Sequence, residues 1–195
     1  MKNIVIFASG SGTNFEAIVQ AVEKGIIKDA KVVLMVCDNK KAYVIERAKN
    51  HNIPSFVFKA KDYSSTEEYE TIIVEKLKAL NVDLICLAGY MRYIGKVLLD
   101  NYEGKMINIH PALLPSFKGA HGIQDAFDYG VKVFGVTVHY VESGVDSGKI
   151  MMQRGFEYYG NDVDEVEAHI HEIEHVLYVE AINKIFNEVK EWKEH

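Results

Sequence analysis

The chain has 195 residues, 48% of them hydrophobic, which suits one globular domain or two tightly joined halves with a full core. Its net charge of −6 argues against a general nucleic-acid binder, which would be basic, but leaves room for a local anion site built from backbone N–H groups. Two cysteines, Cys37 and Cys86, make no disulfide framework and point to a reducing, cytoplasmic setting, and neither a signal peptide nor a membrane-spanning run is expected.

Apolar and amphipathic stretches alternate along the chain. Strand is expected over 3–8, helix over 14–24, strand over 31–37 and helix over 42–50. A short strand at 55–58 precedes a helix over 66–80, with Tyr69, Ile72, Ile73, Leu77 and Leu80 at helical spacing. Strand follows at 83–87, a short helix at 95–101, strand at 105–109 and a short helix at 123–129. The pattern then changes. Two extended runs, 133–141 and 149–157, flank a turn rich in Gly, Asp and Ser and read as a hairpin-like pair. A long helix over about 164–192 carries the apolar stripe Val166, Ile170, Ile173, Leu177, Ala181, Ile185 and Val189.

This order predicts a single α/β domain with a mostly parallel sheet and helices on both faces. The late pair adds an antiparallel component near the C-terminal end. In such sheets the ligand lies beyond the carboxyl ends of the strands. Three expected loops meet there: Ser9–Thr13, Ala88–Met91 and the segment after Asn108 and His110.

The run MINIHPALLP (106–115) places Asn108 and His110 on one strand face and Ile107 and Ile109 on the other. Burying an amide and an imidazole without partners costs free energy, so this pair calls for a substrate. SGSGTN (9–14) joins a strand to a helix. Its glycines let backbone approach an anion at the helix N-terminus, or it is a tight turn capped by Thr13 or Asn14. It lacks the third glycine of a dinucleotide fingerprint and the lysine of a P-loop.

His139 lies among apolar strand residues, where a satisfied structural histidine is the ordinary explanation. Asp146 sits in GVDSG, whose composition also suits a simple turn. A carboxylate beside a histidine favours the charged ring and orients it, which links Asp146 with His110. HEIEH (171–175) is a literal H-E-x-x-H. Zinc would need a third ligand, and Glu188, Glu191 and His195 lie turns away along the same helix. The other reading is a solvated helix face.

Taken together, SGSGTN (9–14), LAGYMR (87–92), NIHPALLP (108–115), KGAHG (118–122), GVTVHYVESGVDSG (135–148) and EH (174–175) carry a resemblance over nearly the whole chain. The chain resembles the phosphoribosylglycinamide formyltransferases, the glycinamide ribonucleotide transformylases of the folate-dependent formyltransferase superfamily. The resemblance implies the formyltransferase fold, with a Rossmann-like phosphate-binding half over 1–100 and a catalytic, folate-binding half over 101–195. It implies formyl transfer from 10-formyltetrahydrofolate to glycinamide ribonucleotide in de novo purine biosynthesis, with no metal, no nucleic acid and no membrane, by a monomer or homodimer.

By the same resemblance Asn108, His110 and Asp146 are the catalytic trio. Gly12, Thr13, Asn14 and Glu174 bind the ribonucleotide, with His171 an incidental neighbour. Leu87, Met91, Arg92, Tyr93 and Ile94 line the folate pocket, and Val141, Glu142 and Ser143 offer backbone groups to the pterin-like ring. Thr66 stands where the family often has an arginine near the folate tail, with Lys59 or Lys61 as substitutes. Alternatives are a formyltetrahydrofolate hydrolase, a methionyl-tRNA formyltransferase, a nucleotide-binding module without catalysis and, remotely, a zinc hydrolase. The first of these usually carries an N-terminal regulatory domain and the second a C-terminal one, and neither is expected here.

Overall fold

A computed structural model describes residues 1–191, with side chains described through Asn187. Seven strands form one sheet: β1 (Lys2–Phe7), β2 (Ala30–Cys37), β3 (Ser55–Val57), β4 (Leu84–Leu87), β5 (Met106–His110), β6 (Val133–Tyr140) and β7 (Ile150–Glu157). Their spatial order is β3-β2-β1-β4-β5-β6-β7. The pairs from β3 to β5 are parallel, and β5–β6 and β6–β7 are antiparallel. The helices are α1 (Thr13–Glu23), α2 (Val44–Asn50), α3 (Thr66–Ala79), α4 (Lys96–Tyr102), α5 (Gly122–Tyr129) and α6 (Val163–Glu191).

Strand alternation divides the core. Ile4, Ile6 and Ala8 turn to one face, where Phe15 and Ile18 of α1, Val44 of α2 and Ile170 and Leu177 of α6 cover them. Val5 and Phe7 turn to the other face, under Tyr69, Ile73 and Leu77 of α3 and Leu98 of α4. Both faces are therefore dry, which is why the parallel strands read as unbroken apolar runs. Cys37 and Cys86 are buried free thiols. Among the described residues no helix is long and apolar enough to cross a membrane.

The sequence-based elements all occur, with ends shifted by a residue or two. A 3-10 turn at Ala60–Asp62 was not expected. Thr13 and Asn14 do not cap α1. Gly12 is its N-cap, at φ 76°, and no side chain caps the helix. The expected helix end at Trp192 and the side chain of Val189 lie outside the described residues.

Two features position the site. Strand order reverses between β1 and β4, so the loops after these strands diverge and leave a crevice. Next, the buried Tyr178 hydroxyl on α6 reaches the Leu87 carbonyl at 2.8 Å and the Ile107 carbonyl at 3.0 Å. That single hydroxyl ties α6 to both β4 and β5.

Candidate active site

A cleft of about 450 Å³ opens at the carboxyl ends of β1, β4 and β5, within the size range of small-molecule sites. One end is the glycine loop Ser9–Asn14, and the opposite wall is Leu87–Ile94. Asn108, His110, His139 and Asp146 lie between them, and His171 and Glu174 close the glycine-loop end. Every residue expected in the site lines this cleft except Ser143, whose carbonyl accepts the Ser147 hydroxyl at 2.9 Å, and the three residues expected near the folate tail, Thr66, Lys59 and Lys61.

The polar centre depends on register. The antiparallel pairing of β5 with β6 sets Asn108 opposite His139 and His110 opposite Thr137. His139 Nδ1 donates to the Tyr140 carbonyl at 2.8 Å, which leaves Nε2 to accept from Asn108 Nδ2 at 3.2 Å. One amide hydrogen of Asn108 is thus fixed, and the other is free for the cleft.

His110, 3% exposed, stands between two acceptors. Its Nε2 is 2.7 Å from the Phe117 carbonyl, and its Nδ1 is 3.4 Å from Asp146 Oδ2. A ring with both nitrogens protonated satisfies both contacts. Asp146 has a left-handed φ of 46° and accepts the Gly119 N–H at 2.8 Å. Its other oxygen lies 3.7 Å from His139 Nε2. Burial works to raise the Asp146 carboxyl, but the Gly119 N–H and the His110 ring favour the charged form and hold it below the usual carboxylate range.

The turn after β5 is held from below. Buried Thr137 Oγ1 donates to the Ala112 carbonyl at 2.7 Å and accepts the Leu114 N–H at 3.1 Å. The Leu114–Pro115 peptide is cis. Gly122 is a close fit here, since a Cβ on it would come within 3.0 Å of the Phe117 carbonyl and 3.2 Å of His110 Nε2.

At the glycine-loop end, Asn14 Nδ2 donates to Glu174 Oε2 at 3.2 Å, while Asn14 Oδ1 is buried without a partner. Glu174 is buried, so this face of α6 is not the solvated one that the sequence also allowed. His171 is more than an incidental neighbour, because its Nδ1 lies 2.9 Å from Glu174 Oε2 within the cleft. Hydrogen bonding to Glu174 raises its pKa against the opposing effect of burial.

His175 instead lines a separate groove between α1 and α6. The two histidines of HEIEH therefore do not converge, and among the described residues no cluster of His, Cys, Asp and Glu is arranged to hold a metal. Of the distant carboxylates and imidazole weighed as zinc ligands, Glu188, Glu191 and His195 lie outside the described side chains.

Thr66 faces Gly95: a Cβ on that glycine would meet Thr66 Cγ2 at 2.9 Å. The nearby cation is Arg92, with its guanidinium carbon 5.9 Å from the Tyr69 ring centroid. Two residues that anchor this wall escaped the sequence reading. Glu70, buried on α3, accepts the Gly95 N–H at 2.6 Å and the Leu98 N–H at 3.2 Å. Asp38, just past β2, is the other. Asp38 could have been noticed as a lone carboxylate after an apolar run, whereas Glu70 is one of three glutamates in TEEYE (66–70) and carries no such signal.

A formyl transferase family model matches residues 2–182. The chain belongs to the formyl transferase family. It is 47% identical over 186 residues to a phosphoribosylglycinamide formyltransferase of Bacillus subtilis, covering 95% of both chains. The glycinamide ribonucleotide transformylase 1 of Geobacillus kaustophilus has a similar structure, with TM-score 0.92 and 48% identity over 95% of this chain and 98% of that one. The phosphoribosylglycinamide formyltransferase of Bacillus halodurans also gives TM-score 0.92, at 43% identity over 96% and 97% of the chains. These relatives thus match nearly the full length of this chain, and the two solved structures share its fold.

Proposed function

We propose that this formyl transferase moves the formyl group of 10-formyltetrahydrofolate to the amine of glycinamide ribonucleotide, giving formylglycinamide ribonucleotide and tetrahydrofolate in purine biosynthesis. The observation that carries the reading is the gathering of Asn108, His110 and Asp146 midway between an anion-suited glycine loop and a largely apolar wall.

In this reading the phosphate sits at Gly12, Thr13 and Asn14, where the first N–H groups of α1 have no partner within the helix. Glu174 and the unpartnered Asn14 Oδ1 suit the hydroxyls of a ribose. The folate lies along Leu87 and Met91–Ile94, with its ring against the backbone of Val141–Ser143.

The ribonucleotide amine attacks the formyl carbon, and the carbonyl π electrons move to oxygen. The free N–H of Asn108 stabilises that oxyanion. His110 exchanges the Phe117 carbonyl for the same oxygen. One such donor is worth about 3–4 kcal/mol in the transition state. Collapse of the tetrahedral intermediate breaks the bond to N10. The amine's proton reaches N10 through a water held by Asp146, which also orients His110. The chemistry proposed needs no covalent enzyme intermediate and no metal.

The division into a phosphate-binding half (1–100) and a catalytic half (101–195) belongs to the same proposal, although the proposed folate wall 91–94 lies in the first half. So does a cytoplasmic enzyme acting on small molecules, as a monomer or homodimer. Its buried thiols and acidic charge support that setting.

The test is the deformylation of 10-formyltetrahydrofolate with and without glycinamide ribonucleotide, followed by the absorbance of the released folate. Release that requires the ribonucleotide, with formylated product formed, is expected. Equal release without it would replace the transferase with a hydrolase.

A further inference from the structure

We infer that Asp38 is a positioning residue that joins the two walls of the cleft and couples the binding of one substrate to the other. The inference rests on the two-substrate reading above. Asp38 follows β2 and does not itself line the cleft, yet its side chain is only 11% exposed. Its Oδ1 accepts the Ser9 hydroxyl at 2.5 Å, and its Oδ2 lies 3.1 Å from Arg92 Nε.

The Ser9 hydroxyl passes the link on. It has one proton. With that proton given to Asp38, its lone pairs face the Met91 N–H, which it accepts at 2.9 Å. The Ser9 backbone is fixed as well. Its N–H donates to the Gly89 carbonyl at 3.0 Å, and its carbonyl accepts Asn39 Nδ2 at 3.2 Å.

One carboxylate therefore holds three loops, those after β1, β2 and β4. Ser9 opens the glycine loop, and Met91 and Arg92 belong to the folate wall. Occupying the glycine loop restrains Ser9. Ser9 and Asp38 then restrain the backbone of Met91 and the guanidinium of Arg92. The same contacts transmit in the other direction, because coupling between two sites is reciprocal.

The chemistry at position 38 is specific. An asparagine can accept the Ser9 hydroxyl with its one carbonyl oxygen, but it brings no negative charge and sets its –NH₂ beside the Arg92 guanidinium, a group that has only donors. Asp38→Asn therefore keeps one link and breaks the other. Ser9→Ala does the converse, since it removes the Met91 link and leaves Asp38 with Arg92. Ser9→Thr retains the hydroxyl.

Titration calorimetry with a 10-deazafolate analogue, which cannot transfer a formyl group, tests the coupling. In the wild type the analogue binds about fivefold or more tighter with glycinamide ribonucleotide present. In Asp38→Asn and in Ser9→Ala that factor drops toward one, and Ser9→Thr restores it. The KM for the formyl folate rises in both broken variants by more than kcat falls.

A loop that is merely loosened would weaken both ligands alone and leave the coupling factor intact, and that result overturns the inference. So does a wild type with no coupling. Should Asp38→Asn fail to fold, Ser9→Ala and Ser9→Thr decide the matter by themselves. A wild type that does not formylate glycinamide ribonucleotide fails the parent reading instead, and the turnover assay reports that separately.

Discussion

Gly12 offers a sharp test of how the glycine loop is built. Its φ of 76° is left-handed. A Cβ placed on it would sit 2.5 Å from Val44 Cγ2, 2.7 Å from Val44 Cβ and 3.1 Å from Val44 Cα. Val44 is fully buried at the start of α2, so it cannot swing into solvent. Gly12→Ala thus meets two separate costs. A left-handed backbone costs an L-residue about 1–2 kcal/mol, and overpacking a buried site costs about 1–3 kcal/mol. The sum, about 2–5 kcal/mol, is a large part of the roughly 5–15 kcal/mol that stabilises a domain.

Urea unfolding reads this as a lower midpoint at constant slope. The two costs separate in a double-mutant cycle with Val44→Gly, which removes both close side-chain contacts and leaves the backbone term. The variants together should then be less destabilising than their sum by about 1–3 kcal/mol. Additivity within about 0.5 kcal/mol would refute the steric argument. A single Gly12→Ala as stable as the wild type would refute the backbone argument as well.

Further tests bear on the chemistry and on pH. Asn108→Ala should lower kcat about 10²–10³-fold, the loss typical of one oxyanion donor, with little change in urea midpoint; turnover near the wild type would remove its role. Asp146 is held below its ordinary range, so its contribution to stability is present above the unfolded carboxylate value and is lost as pH falls through the lower folded value. Asp146→Asn should flatten the urea midpoint between about pH 5 and pH 3 and alter the acid limb of the rate profile, and unchanged curves would count against the charged role.

His51 titrates in the opposite sense. Its hydrogen bond to Glu16, helped by Glu23, raises its pKa against burial, with ring contacts of 2.9 and 2.8 Å. That stabilisation is complete below the unfolded histidine value of about 6.5 and is lost as pH rises through the higher folded value. His51→Gln should abolish the corresponding step in stability across neutral pH, and a step that persists would assign it elsewhere.

What was legible in the sequence follows physical lines. The parallel strands stood out because both of their faces are buried, leaving no polar positions to blur them. Asn108 and His110 stood out for the converse reason, as polar groups at the end of such a strand. His139 was visible only as a lone imidazole. Its place against Asn108 depends on the register between β5 and β6, which no local pattern encodes. Asp38 and Glu70 were missed because their partners are backbone groups, a serine and an arginine on loops distant in sequence. HEIEH offered zinc only as a remote reading, and the fold shows why. Four residues bring two histidines near one another on a helix, but α1 docks against α6 so that His171 and His175 enter different cavities.

The bond between Asn14 and Glu174 spans 160 residues, and that separation sets the order in which the molecule can become competent. During synthesis the glycine loop leaves the ribosome well before the helix that closes its end of the cleft. A nascent chain can build β1 to β5 and still lack Glu174 and the Tyr178 tie across β4 and β5. Under the proposed function, a ribonucleotide bound at that end would favour the docked form of α6 over any undocked one, so that ligand and helix reinforce each other.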